Sequence, residues 1–224
     1  LSPAASTPVL SGKDDLFFRI TPTHLAQAAA FARYIVKQRG LSRLGIVCDT
    51  DNASYSESYA DTAVKIAQRY GGQVALRLNY SSSRQPDFAQ MAAQLRSANP
   101  DALLIIAPPL DTAFLAQQTR LSKWNAPLFT SAWAQTEIFI QNGGQAVEGA
   151  EMVLAYDANS QAPAYQDFKA RYQARFDRAP TFAAGEAYEA VLVLAAALNK
   201  TRGQAQGLPQ ALLSTQNFAG LIGP

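Results

Sequence analysis

From residue 19 onward the chain repeats one syntax: a short apolar run, a turn, then a stretch with helical period. Residues 43–48 form a β-branched-containing apolar run too short for a helix, which predicts a buried strand. Residues 73–80 alternate, with Val74, Leu76 and Leu78 expected on one face. Residues 101–107 are continuously apolar after Asp101, the pattern of a strand covered on both sides. Residues 126–131 and 149–155 read as weaker strands. Helical periods alternate with these runs at 24–37, 56–70, 87–98 and 111–121. Thr23 and Asp111 are the expected caps of the first and last, and Asn99-Pro100 stops the third. Strands alternating with helices of this length predict a parallel sheet sandwiched by helices, an α/β fold. After residue 155 the grammar changes to consecutive helices at 162–177, 182–199 and 208–214, with no strong strand between them.

Composition removes most function classes. The chain has 224 residues, 48% of them hydrophobic, enough for a packed core. A formal charge of +2 leaves no basic footprint for nucleic acid. The single cysteine, Cys48, excludes an internal disulfide and any thiolate zinc cluster. The single histidine, His24, excludes two-histidine metal sites, and no metal or cofactor is expected. The longest apolar run, residues 190–198, is too short to span a bilayer. Phosphate-loop, dinucleotide, nucleophile-elbow and zinc-protease motifs are all missing. Gly71-Gly72 and Gly143-Gly144 follow helical periods and read as helix ends. Cys48, at the end of a buried strand, reads as a small hydrophobe.

In an open parallel sheet, ligands bind beyond the carboxyl ends of the strands. That rule selects four loops: residues 49–56, residues 80–83, Pro108-Pro109-Leu110-Asp111, and Thr130-Ser131-Ala132-Trp133. Tyr55 and Trp133 can stack on or hydrogen-bond a small molecule, and each can equally be a packing aromatic.

These loops resemble those of the type I periplasmic solute-binding proteins of branched-chain amino-acid ABC transporters, the leucine/isoleucine/valine-binding family. Leu1-Ser-Pro-Ala-Ala-Ser-Thr-Pro-Val-Leu10 is similar to the segment where that family grips the ligand carboxylate. Phe18-Arg-Ile-Thr-Pro22 is similar to its first hinge crossing, and Tyr55-Ser-Glu-Ser58 to its Tyr-Gly-x-Gly loop. Trp133-Ala-Gln-Thr-Glu, Gly143-Gly-Gln-Ala-Val-Glu-Gly149 and Ala187-Tyr-Glu-Ala-Val191 follow in the family's order. The resemblance covers nearly the whole chain and implies two α/β lobes joined by crossings, with the ligand between them. On that pattern residues 1–22 are a first-lobe segment and hinge, and 23–149 a complete second lobe. Residues 150–224 return to a mostly helical, incomplete first lobe. Since the chain starts at Leu1 without a methionine and ends in the turn sequence Ile222-Gly223-Pro224, it is expected to be part of a longer protein with the first lobe truncated.

The resemblance implies that Ala4, Ser6 and Thr7 meet the ligand carboxylate, and that Tyr55 contacts it from the second lobe. Pro109, Leu110 and Trp133 would line the opposing wall. His24 stands where many amino-acid binders of this type carry an aspartate that pairs with the ligand ammonium. Two expectations follow: the ligand lacks an α-ammonium, or Asp49, Asp51 or Asp111 supplies the countercharge; His24 can also simply start its helix. The expected function is an extracytoplasmic solute-binding component of an ABC importer. It would close on a small carboxylate-bearing solute, an amino acid or related acid, and deliver it to the membrane permease without catalysis. Expected location is the periplasm or the extracellular face. The alternatives are a ligand-sensing ectodomain or an envelope regulatory protein with the same fold.

Overall fold

A computed structural model describes residues 1–154 and 156–221. The chain divides into two compact units, His24–Val153 and a second built from Leu1–Thr23 with Leu154–Pro224.

The unit His24–Val153 runs α1 (His24–Arg33), β1 (Arg43–Asp49), α2 (Ala53–Arg69), β2 (Gln73–Tyr80), α3 (Phe88–Ser97), β3 (Ala102–Ile106), α4 (Pro109–Leu121), β4 (Leu128–Thr130), α5 (Glu137–Gly143) and β5 (Glu151–Met152). All strand pairs are parallel, in the order β2-β1-β3-β4-β5. Strand alternation sends Leu44, Ile46, Cys48, Leu104, Ile106 and Phe129 to one face, where α1 and α2 supply Ala28, Phe31, Tyr59 and Ala63. Val47, Leu103, Ile105 and Leu128 point to the other face, against Leu95 of α3, Leu115 of α4 and Phe139 of α5. The predicted helix–sheet–helix layering is therefore present.

Several expectations change in detail. Residues Leu44 and Gly45 of β1 pair with Val74 and Leu76, so Ala75 is bulged out of β2. The bulge reverses the phase of the strand: Val74 packs in the α1–α2 core, while Leu76 and Leu78 pack in the opposite one. The three residues do not share a face. The first helix gives way to a π-helical turn over Tyr34–Gln38, closed by the Arg39 N–H on the Tyr34 carbonyl at 3.0 Å. Helix α4 begins at Pro109, a residue suited to a first turn because its missing N–H is not needed there. Asp111 consequently lies inside the first turn and is not the cap. The expected fifth strand shrinks to two residues at the sheet edge, and α5, of which the sequence marked only the Gly143-Gly144 end, is a short helix over Glu137–Gly143. Ala155, assigned to that strand, and the Ile222–Pro224 turn lie outside the described residues.

The other unit contains a 3-10 turn at Pro8–Leu10 and helices α6 (Pro163–Phe176), α7 (Phe182–Lys200) and α8 (Leu208–Leu213). Its buried cluster is Tyr156, Tyr165, Phe168 and Leu221, with Tyr172, Phe182 and Tyr188 packed around it. The Tyr156 and Tyr165 hydroxyls meet at 2.7 Å, and the Tyr156 ring occupies the space a Cβ would take on Gly185. By length and composition α7 is long and apolar enough to cross a membrane, which the short run 190–198 did not suggest. Two carboxylates one turn apart on its inner face argue for a packed helix instead, since charge is costly in hydrocarbon. Glu189 is buried and accepts the Leu221 N–H at 2.6 Å, and Glu186 is buried against the Thr21 hydroxyl.

Candidate functional site

At the carboxyl ends of β1 and β2 two aspartates tie neighbouring loops together. Asp49, the last residue of β1, is 1% exposed. Its carboxylate accepts the Asp51 N–H at 3.1 Å, the Ser82 N–H at 3.0 Å and the Ser82 hydroxyl at 3.1 Å. Asp51 accepts the Ser81 hydroxyl at 2.7 Å, the Ser82 hydroxyl at 3.1 Å and the Ser83 N–H at 2.8 Å. Those donors, Ser81 first, hold the Asp51 carboxyl down at about 2. The pair acts as a buttress between the two loops, with Asp49 buried and the Asp51 carboxylate exposed at the surface. Asp111 accepts the Tyr80 hydroxyl at 2.8 Å. Burial raises the pKa of its carboxyl, and the charges of Asp49 and Asp51 add to the rise.

Next to this buttress lies an aromatic cluster. Asp49 opens the 3-10 turn Thr50–Asn52, which runs directly into α2 and delivers Tyr55, Ser58 and Tyr59 on one helical side. His24, fully buried at the start of α1, packs 4.7 Å from the Tyr55 ring and stacks on Tyr59 at 6.3 Å. Its Nε2 lies 2.6 Å from the Ser58 hydroxyl. That hydroxyl donates its one proton to the Ser54 carbonyl at 2.7 Å or the Tyr55 carbonyl at 3.1 Å, so it accepts from a protonated Nε2. Trp133, in the loop after β4, meets Tyr55 edge-on at 5.6 Å. Burial raises the Tyr55 phenol pKa. Burial raises Tyr59 more strongly, and no hydrogen-bond partner for its hydroxyl is found among the described residues.

Of the residues expected at a site, His24, Tyr55 and Trp133 are therefore brought together. Pro109 and Leu110 open α4 in the same unit, with Leu110 exposed. Ala4, Ser6 and Thr7 belong to the other unit, in a loop that Arg19 spans: its guanidinium donates to the Ala5 and Thr7 carbonyls. Sequence reasoning missed Ser58, Tyr59, Ser131 and Arg19. A signal existed for one of them, because Tyr59 follows Tyr55 by four residues on a helix. Two open depressions of about 470 Å³ each lie elsewhere on the sheet unit. One is lined by Phe31, Tyr34 and residues 150–153, with Glu151 tied to Tyr34 and Arg39. The second is lined by Arg120, Asn125, Gln145, Ala146 and Glu148.

The cluster offers flat apolar faces and hydroxyls. Burial raises the pKa of the Cys48 thiol, which favours the unreactive protonated form. Such a surface recognises molecules by shape and hydrogen bonding. The sequence profile of the periplasmic binding protein family matches residues 1–224. The chain belongs to that family.

Among solved structures, the chain is similar to the leucine-binding protein LivK of Thermotoga maritima MSB8, with 25% identity and a TM-score of 0.91. That match covers 99% of this chain and 63% of the Thermotoga chain, so the chain spans less than two thirds of that relative. An R. palustris ABC-transporter solute-binding protein in complex with benzoate aligns at 18% identity and a TM-score of 0.81, over 92% of this chain and 57% of that one. LivJ from Streptococcus pneumoniae, in complex with isoleucine, aligns at 17% identity and the same score, over 92% and 58%. At these two identities the likeness concerns the fold. Among curated protein sequences none matches the chain.

Proposed function

We propose that this periplasmic binding protein is the extracytoplasmic solute-binding part of an ABC importer and holds a small carboxylate-bearing solute for delivery to a membrane permease. The observation that carries the reading is the His24–Tyr55–Trp133 cluster at the carboxyl end of a parallel sheet, the position at which such sheets bind ligands. On this reading Tyr55 and Trp133 contact the solute, with Pro109 and Leu110 beside them. Ala4, Ser6 and Thr7 hold the carboxylate with backbone and hydroxyl donors, which bond an anion more strongly than a neutral group. The solute lacks an α-ammonium, or has it met by Asp49, Asp51 or Asp111, because His24 brings no carboxylate. Relatives solved with isoleucine and with benzoate bracket the solute classes worth testing.

The test is thermal-shift screening against aliphatic amino acids, their keto acids and aromatic acids, each paired with its neutral amide. A ligand that prefers the native state raises the melting temperature in proportion to the logarithm of its concentration. The expected result is a rise with acids that exceeds the rise with amides. If amides match the acids, or no acid shifts the melt, the carboxylate reading fails.

A further inference from the structure

The loop assigned to the carboxylate is irregular, and an irregular loop presents donors well only if something fixes its peptide planes. In this chain that support comes from one side chain. Main-chain hydrogen bonds register residue 19 against residue 2: the Ser2 N–H donates to the Phe18 carbonyl at 2.7 Å, and the Ile20 N–H to the Ser2 carbonyl at 3.3 Å. From that anchored position the half-buried Arg19 side chain reaches across the loop. One terminal nitrogen donates to the Thr7 carbonyl at 2.7 Å and to the Ala5 carbonyl at 3.3 Å, while the other donates to the Ser11 hydroxyl.

Peptide planarity turns these contacts into an orientation. In a trans peptide the C=O and the following N–H point in opposite directions. With the Ala5 carbonyl aimed at the guanidinium, the Ser6 N–H is turned away from it. The Thr7 carbonyl is aimed at the same group, and its peptide leads into Pro8, which has no N–H to misplace. Ser6 is thus held between two anchored carbonyls, with its amide directed outward. A planar, permanently charged fork suits this task, since several donors leave it in fixed directions. Further local bonds, Ala5 N–H to the Ser2 hydroxyl at 3.2 Å, Val9 N–H to the Thr7 hydroxyl at 3.4 Å and Ser11 N–H to the Pro8 carbonyl at 2.9 Å, close the loop around it.

We infer that Arg19 is a positioning residue: it does not touch the solute but sets the Ser6 amide and hydroxyl to receive a carboxylate. The inference rests on the carboxylate reading above, so its test separates the two. Binding of L-leucine against L-leucinamide, and of benzoate against benzamide, is measured by calorimetry for the wild type, Ser6→Ala, Arg19→Met and Arg19→Lys. Hydrogen exchange of the peptide covering residues 1–11 is followed in each. Arg19→Met should cut the acid-over-amide preference about tenfold and speed loop exchange, leaving exchange in α7 unchanged. Arg19→Lys, with its charge but no planar fork, should lose about threefold in preference.

A loss that falls equally on acid and amide would make Arg19 merely structural and overturn the inference. So would wild-type preference and wild-type loop exchange in both Arg19 variants. If Arg19→Met does not fold, Arg19→Lys decides by the same two readouts. Should Ser6→Ala keep the full preference, or the wild type bind neither acid, the carboxylate reading itself falls, and this assignment with it.

Discussion

The Asp49 buttress gives a prediction whose size follows from counted bonds. Asp49→Ala removes the acceptor of two backbone N–H groups and one hydroxyl, at distances of 3.0–3.1 Å from a carboxylate that is 1% exposed. Leaving a partly buried donor without its charged acceptor costs about 1–1.5 kcal/mol. The Ser82 hydroxyl can turn to Asp51, so only the two amides count, and the expected loss is about 2–3 kcal/mol. Asn keeps the one oxygen, Oδ1, that accepts both N–H groups, and gives up the charge; the expected loss is about 1 kcal/mol. Both tryptophans, Trp124 and Trp133, lie in the unit His24–Val153, so their fluorescence during urea unfolding reports this unit alone. With a slope near 2 kcal/mol per molar, the Ala variant should unfold about 1–1.5 M urea earlier than the wild type. An Ala midpoint within experimental error of the wild type, or an Asn variant as damaged as Ala, would refute the buttress.

Three further predictions follow. Gly45→Ala places a Cβ 2.7 Å from a Leu103 methyl, 3.1 Å from Pro100 and 3.3 Å from Leu95, so it should cost about 1–3 kcal/mol by the same fluorescence assay. A cost below about 0.5 kcal/mol would mean that this core face yields more readily than the contacts indicate. Burial raises the Glu186 carboxyl pKa, so its stabilising contribution is complete at low pH and is lost as pH rises through the raised value. Glu186→Gln should therefore melt higher than the wild type at pH 8, with the gap closing toward pH 4; a gap independent of pH contradicts it. Trp124→Phe leaves Trp133 as the sole indole, and a bound acid should change its emission; emission unmoved under a ligand that raises the melting temperature would place that ligand away from Trp133.

The sheet was legible because a strand covered on both faces must be apolar almost throughout. That is how residues 43–48 and 101–107 read and how β1 and β3 pack. Periodicity fails where the backbone departs from its period. The Ala75 bulge inverts β2 without any trace in the hydrophobic pattern, which still alternates. The two-residue edge strand carries too little pattern to delimit, and α5 exposes Ile138 and Ile140, so it shows no clean apolar stripe. At the candidate site, residue types and loop positions drew attention to His24, Tyr55 and Trp133, which the fold brings together. They could not reveal which carboxylates are already occupied. Asp49, Asp51 and Asp111 look alike in sequence, and only their hydrogen bonds separate a loop tie from a group with capacity left over.

That separation bears on how, on the proposed reading, a surface with so many polar groups would hold a solute. Several groups with chemical potential in the unit His24–Val153 are engaged by the chain itself: the Cys48 thiol within the sheet, His24 Nε2 on Ser58, and Asp49 and Asp51 on loop donors. Such bonds hold the rings of Tyr55 and Trp133 in fixed places, so little side-chain freedom remains to be lost if a solute packs on them. Releasing one tie should therefore loosen the surface rather than awaken chemistry. In Asp49→Ala, acid binding should weaken because the turn that carries Tyr55 into α2 has lost its anchor. Any turnover of a bound acid by that variant would contradict the argument.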